Sequence, residues 1–180
     1  MRKDLFLILF SFLLFSLLCS NIGYAEEKQN HWELGIGAGI NMDGKHFKHA
    51  LIAPAFSLKS RGYKFLSYRL EGDLELIESD GRITAVVGAA PFIRLSMPER
   101  KLRPFFEIGA GANLISRNHT GTKNSGGSVI FSLMGSAGLE FSSWGRPMSI
   151  SYRIRHLSNG HIYRANQSIN SQYLLLSIGI

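Results

Sequence analysis

The chain has 180 residues, a formal net charge of +7 and a single cysteine, Cys19. One cysteine excludes a disulfide framework, and its place in an expected export segment leaves the mature chain without thiol chemistry. The basic residues are scattered rather than gathered with aromatics into a stripe, which argues against nucleic acid and for contact with an anionic membrane surface.

The first 25 residues read as a signal peptide. Arg2 and Lys3 give a positive start, Leu5–Leu18 is an apolar run, and Gly23-Tyr24-Ala25 offers small residues for cleavage after Ala25. The run is too short for a comfortable membrane-spanning helix. Leu18 is too large for the position before a lipid-anchored cysteine, so simple export is expected. Residues 26–180 then form one domain.

That domain shows no amphipathic helix, internal repeat or low-complexity linker, but repeated alternation with period two. Eight strands are predicted, at about 31–40, 50–59, 64–77, 82–96, 102–116, 128–141, 146–158 and 170–180. In 64–77, Leu66, Tyr68, Leu70, Leu74 and Leu76 share one face, and Arg69, Glu71, Asp73 and Glu75 the other. In 146–158, Met148, Ile150, Tyr152 and Ile154 oppose Ser149, Ser151, Arg153 and Arg155. Charges of both signs on one face suit a barrel interior, where they pair, while the apolar face meets lipid. Frequent glycines such as Gly35, Gly37, Gly109 and Gly111 relieve crowding inside a small barrel. The expected fold is an all-β, eight-stranded antiparallel transmembrane β-barrel of outer-membrane type, and the expected location is the bacterial outer membrane. A soluble barrel would invert the two faces.

The connectors near 60–63, 97–101 and 142–145 are short, whereas 41–49, 117–127 and 159–169 are longer and polar, with 78–81 a short exception. Outer-membrane barrels keep short turns on the periplasmic side and long loops at the cell surface. The seventh strand therefore runs outward and ends at the surface with His156 and Ser158. Both continue the parity of Tyr152 and Ile154, the lipid face, and Asn170 shares parity with Leu174 and Leu176. Polar residues there are costly unless they lie at the membrane interface or serve a function. A serine activated by an imidazole, with donors for the oxyanion nearby, is a nucleophile for acyl transfer. Asn159 and the N–H groups near Gly160 are candidate oxyanion donors, and glycine permits a tight turn. By spacing alone the catalytic signal is weak, and the same residues also fit an ordinary polar loop.

The run His156-Leu-Ser158-Asn159-Gly160-His-Ile162, followed by Asn166, resembles the C-terminal motif of the outer-membrane lipid A 3-O-deacylases (PagL type). The resemblance implies an eight-stranded barrel that hydrolyses the 3-hydroxyacyl ester at position 3 of lipid A without a cofactor. It implies Ser158 as nucleophile, His156 as general base, Asn159 helping to hold the oxyanion and Asn166 ordering the loop. Three positions depart from the family pattern: Ala165 stands for proline, Ser168 for glycine and Asn170 for the triad acid. An amide oxygen still accepts from the imidazole N–H but supplies no charge. The partners implied are lipopolysaccharide and outer-membrane lipid, with monomer and homodimer both open. A non-catalytic small barrel with a structural or surface-binding role is the alternative, and an interfacial acyltransferase is a third reading.

Other polar residues have plainer expectations. Glu71, Asp73, Glu75, Glu107 and Glu140 are expected to pair with Arg69, Arg94, Arg153 and Arg155 inside the barrel. His46 and His49 lack the acidic or cysteine company of a metal site. Lys45, Lys48, Arg117, Lys123 and Arg164 fall on outer loops, and Trp32 and Trp144 read as interfacial anchors.

Overall fold

The structure is a computed structural model that describes residues 30–43, 47–60, 62–97 and 101–180. The expected signal peptide, together with Lys45 and His46, lies outside the described residues. The long strands are β1 (Asn30–Asn41), β2 (Lys48–Lys59), β3 (Leu66–Ser79), β4 (Arg82–Ser96) and β5 (Arg103–Ile115). A miniature hairpin follows, β6 (His119–Thr120) and β7 (Lys123–Asn124). Then come β8 (Val129–Ser143), β9 (Arg146–Ser158) and β10 (Ile169–Gly179). Eight strands close in the order β1-β10-β9-β8-β5-β4-β3-β2. Every neighbouring pair is antiparallel, and β10 returns to pair with β1 from Glu33↔Gly179 to Asn41↔Ser171, so no long strand keeps a free edge. The expected strands are all present, with ends that move by two residues at most.

The alternation sorts side chains as the sequence suggests. On β3, Arg69, Glu71, Asp73 and Glu75 are buried inside, while Leu70, Leu74 and Leu76 are exposed outside. On β9, Arg153 and Arg155 are buried, and Tyr152 and Ile154 are exposed. Met148 and its cross-strand partner Phe141 depart from this parity and are buried. The outer wall is otherwise a continuous apolar surface, far larger than a water-soluble monomer shows. This is the surface of a transmembrane barrel, polar within and apolar without.

Two layers fill the interior. The first is an ion-pair network. Arg153 donates from Nη1 and Nη2 to the two oxygens of Glu71 at 2.5 and 3.0 Å, and from Nη2 to Glu107 at 3.0 Å. Arg94 joins Glu107 at 2.8 Å to Glu140 at 2.7 Å. Arg69 bridges Glu33 and Glu71, and Arg155 bridges Asp73 and Glu75. His49, on β2, places Nδ1 2.6 Å from Glu75, and Tyr173 also donates to Glu75. Buried charges are tolerable only when paired and hydrogen-bonded in this way.

The second layer is apolar and sits toward the end bearing the longer loops. Phe47, Ile77, Val86, Ile115, Ile130, Leu157 and Ile169 form one buried cluster. These residues keep inward parity, so the charged face expected of the interior gives way here to an apolar cork. The opposite end opens into a hollow whose lining includes Glu33, Arg94, Arg103 and Glu140. The connection between β8 and β9 there is tight: Trp144 and Gly145 both take positive φ, at 50° and 71°, in a two-residue hairpin of the primed kind that matches strand twist. Trp32 and Trp144 are exposed near that end.

Candidate active site on the outer wall

His156 lies near the end of β9, directly opposite Asn170 on β10. Pairing is continuous on both sides of β9, through Leu157↔Ile169 and Phe131↔Ser158, so no bulge disturbs the expected parity. Leu157, between His156 and Ser158, points inward into the apolar cork, and Ile169 beside Asn170 does the same. The inward neighbours thus anchor the two strand ends from behind. His156 is exposed on the outer wall, and Ser158 and Asn170 are half-buried.

The imidazole Nδ1 is 2.7 Å from Asn170 Oδ1. An amide oxygen only accepts, so this contact assigns the proton to Nδ1 and leaves Nε2 as the basic nitrogen. Ser158 is on the same face, with its Cα about 6.6 Å further along the strand. No hydrogen bond joins the pair among the described residues. Catalytic contacts commonly tighten only when substrate is bound.

Beyond Ser158 the chain turns sharply. Gly160 and His161 have φ of 60° and 66°, and Ile162 N donates to Asn159 O at 3.1 Å. Two consecutive positive φ values make this a type I′ turn, which explains the glycine. Asn159 is completely buried. Its Nδ2 donates to Ser125 O at 2.6 Å and to Ala165 O at 2.5 Å, and its Oδ1 accepts from His161 N at 2.8 Å. Its backbone N–H donates to Asn166 Oδ1 at 2.9 Å. The carboxamide expected to face an oxyanion is therefore fully engaged in holding two loops together, and Asn166 orders the same turn.

The loop also docks on its neighbour. Gln167 N donates to Asn124 O at 2.9 Å, and Asn124 N to Gln167 Oε1 at 2.8 Å. A side chain at Gly126 or Gly127 would collide with Tyr163. Sequence reasoning missed this clamp, although the Gly126-Gly127 pair is a signal of close approach. Ala165 serves through its carbonyl, as the acceptor for Asn159. Glu140 is inside the barrel, bound to Arg94, and takes no part in the site.

The model of the lipid A 3-O-deacylase (PagL) family matches residues 32–178, a span that takes in nearly the whole barrel and every candidate site residue. The chain belongs to that family. A crystal structure described as the outer membrane enzyme PagL shares the fold, with a TM-score of 0.68 and 22% identity over 82% of this chain and 99% of that one. Neisserial surface protein A (NspA) is a more distant likeness, with a TM-score of 0.56 and 11% identity over 84% of this chain and 94% of that one. No curated protein matches the sequence. Membership makes this chain a lipid A deacylase by family, and its barrel is of the outer-membrane type.

Proposed function

We propose that the protein hydrolyses the ester-linked 3-hydroxyacyl chain at position 3 of lipid A, in the outer leaflet of the outer membrane, with Ser158 as nucleophile and His156 as general base. The observation that carries this reading is the His156–Asn170 contact at 2.7 Å on the exposed outer wall. It leaves Nε2 free on the same face as Ser158, where a membrane lipid has access and water-soluble substrates do not. With both termini in the periplasm, the loop end is the cell surface, and the site lies at the level of the outer leaflet.

The chemistry follows from these positions. His156 Nε2 takes the Ser158 proton as Oγ attacks the ester carbonyl carbon. The tetrahedral intermediate collapses, the sugar 3-oxygen departs with the proton from His156, and the acyl chain remains on Ser158. A water molecule activated by the same imidazole then releases the 3-hydroxy fatty acid. Asn170 is a positioning residue that fixes the ring and its tautomer, without the charge a carboxylate gives the imidazolium. No step needs a cofactor.

The test is mass spectrometry of lipid A from cells making the wild-type chain or Ser158→Ala. Loss of one 3-hydroxyacyl mass with the wild type alone, together with free fatty acid, is expected. Intact lipid A with a folded wild-type barrel would defeat the proposal and favour a non-catalytic barrel. Transfer of the acyl chain to another lipid would mark an acyltransferase.

A further inference from the structure

Two rows below Ser158, counting away from the loop end, the apolar outer wall carries an amide. Gln172 continues the outward parity of Asn170 on β10, and its neighbours in the row are Ile154 on β9 and Ile40 on β1. Both isoleucines are exposed. So are Leu174, the next outward residue on β10, and Met42, nearer the surface beyond β1. Tyr152 donates its hydroxyl to Gln172 Oε1 at 2.5 Å. This contact fixes the carboxamide but uses only its oxygen. The two N–H donors on Nε2 have no partner among the described residues.

Tyrosine and glutamine are a costly choice for a wall that meets lipid. Polar groups there need partners, and this pair satisfies one acceptor while leaving two donors unmet. Phenylalanine and leucine would build the same wall without that cost. The arrangement suits a substrate that brings an oxygen to this place. With the scissile carbonyl at Ser158, the acyl chain runs down the wall into the bilayer. Rows on one face lie about 6.6 Å apart along a strand. The first carbons of the chain therefore pass the His156–Asn170 pair and approach Gln172, within reach of its long side chain. A 3-hydroxyacyl chain carries its hydroxyl on that stretch. We propose that Gln172 is a specificity residue whose Nε2 donates to the hydroxyl oxygen of the scissile chain, and that Tyr152 is a positioning residue that holds the amide. This rests on the esterase reading of Ser158 and His156. A donor built for a substrate hydroxyl discriminates against the analogue lacking it, because the donor is then left unpaired.

The test compares two synthetic glucosamine phosphates, acylated at position 3 with or without a hydroxyl on the third carbon of the chain. The refolded protein acts on each in mixed micelles, and released fatty acid gives kcat/KM. The ratio of the two values, hydroxylated over plain, should fall by about tenfold in Gln172→Leu, the order expected for one hydrogen bond and its unmet donor. Whatever the hydroxyl adds to the ester's own reactivity is common to both proteins, so it cancels in that comparison. Gln172→Met, which keeps the length of the side chain without its donors, should show the same fall. Both variants suit a lipid-facing wall and should keep heat-modifiable gel mobility. Tyr152→Phe should lower the ratio by less, since the amide stays but loses its anchor. An unchanged ratio in the Gln172 variants, with both esters slowed equally, would overturn the assignment. Failure of both variants to fold would make Gln172 structural and overturn it too. An unchanged ratio in Tyr152→Phe would refute the positioning role. A wild-type chain that releases neither acid would instead fail the esterase reading itself.

Discussion

The two faces of β9 carry polar residues under opposite conditions. Inward, Arg153 makes four hydrogen bonds, to Glu71, Glu107 and Ser136, and is almost wholly buried. Outward and only three residues on, His156 has one side-chain bond among the described residues, to Asn170, with Nε2 left open. A strand that alternates every residue can thus build a saturated scaffold and an unsaturated site from the same segment. Saturation marks the groups that hold the barrel together, and the unspent valence marks the groups available for chemistry.

The sharpest way to separate the two is Arg153→Met. Removing this guanidinium leaves Glu71 to Arg69 and Glu107 to Arg94, with the buried carboxylates outnumbering the charges that offset them, a loss of about 3 kcal/mol. Urea unfolding followed by gel mobility should show it, while the specific activity of the fraction still folded stays near wild type. If stability held and activity fell instead, the division between scaffold and site would be wrong.

Leu157→Ala probes the seam between the faces, because this side chain corks the interior between the two proposed site residues His156 and Ser158. The cavity should cost about 2–4 kcal/mol. Unlike Arg153→Met, it should also lower kcat in the folded protein, since the strand end carrying His156 and Ser158 loses its inner anchor. Equal activity per folded molecule would show that the cork does not position the site.

The smallest expected effect is Asn170→Asp. The replacement is nearly isosteric, keeps an acceptor at Nδ1 and adds the charge that stabilises imidazolium. We expect kcat to rise about tenfold, roughly 1.4 kcal/mol of barrel-independent gain, with unfolding unchanged. A fall in kcat would mean that the amide's own N–H donors matter to the site.

The barrel was legible because its signal is repeated. Eight alternating segments each state which face is apolar, and parity then carries His156, Ser158 and Asn170 to the outside without further information. The pairing partners of the interior charges follow from the same parity, since Arg69, Arg153 and Arg155 share the inward face with carboxylates, although the Phe92 ring against Arg69 and Arg153 does not follow from it. What stayed hidden depends on contacts between segments that alternate nothing. The full engagement of Asn159 involves carbonyls of Ser125 and Ala165, and a carbonyl has no sequence signature. The hairpin β6–β7 is two residues per strand, too short to show a period. The cork was missed because Ile77, Val86, Ile115 and Ile130 follow the inward parity of charged neighbours, and parity alone does not say where along the axis charge ends.

The cork carries a further consequence. Seven apolar side chains fill the lumen at the loop end, above a layer in which every arginine is already tied to carboxylates. Among the described residues, neither layer offers an ion a hydrated path. A membrane crowded with this protein would gain enzyme without gaining conductance, and planar-bilayer recordings of the refolded chain should stay silent at any applied voltage the bilayer survives.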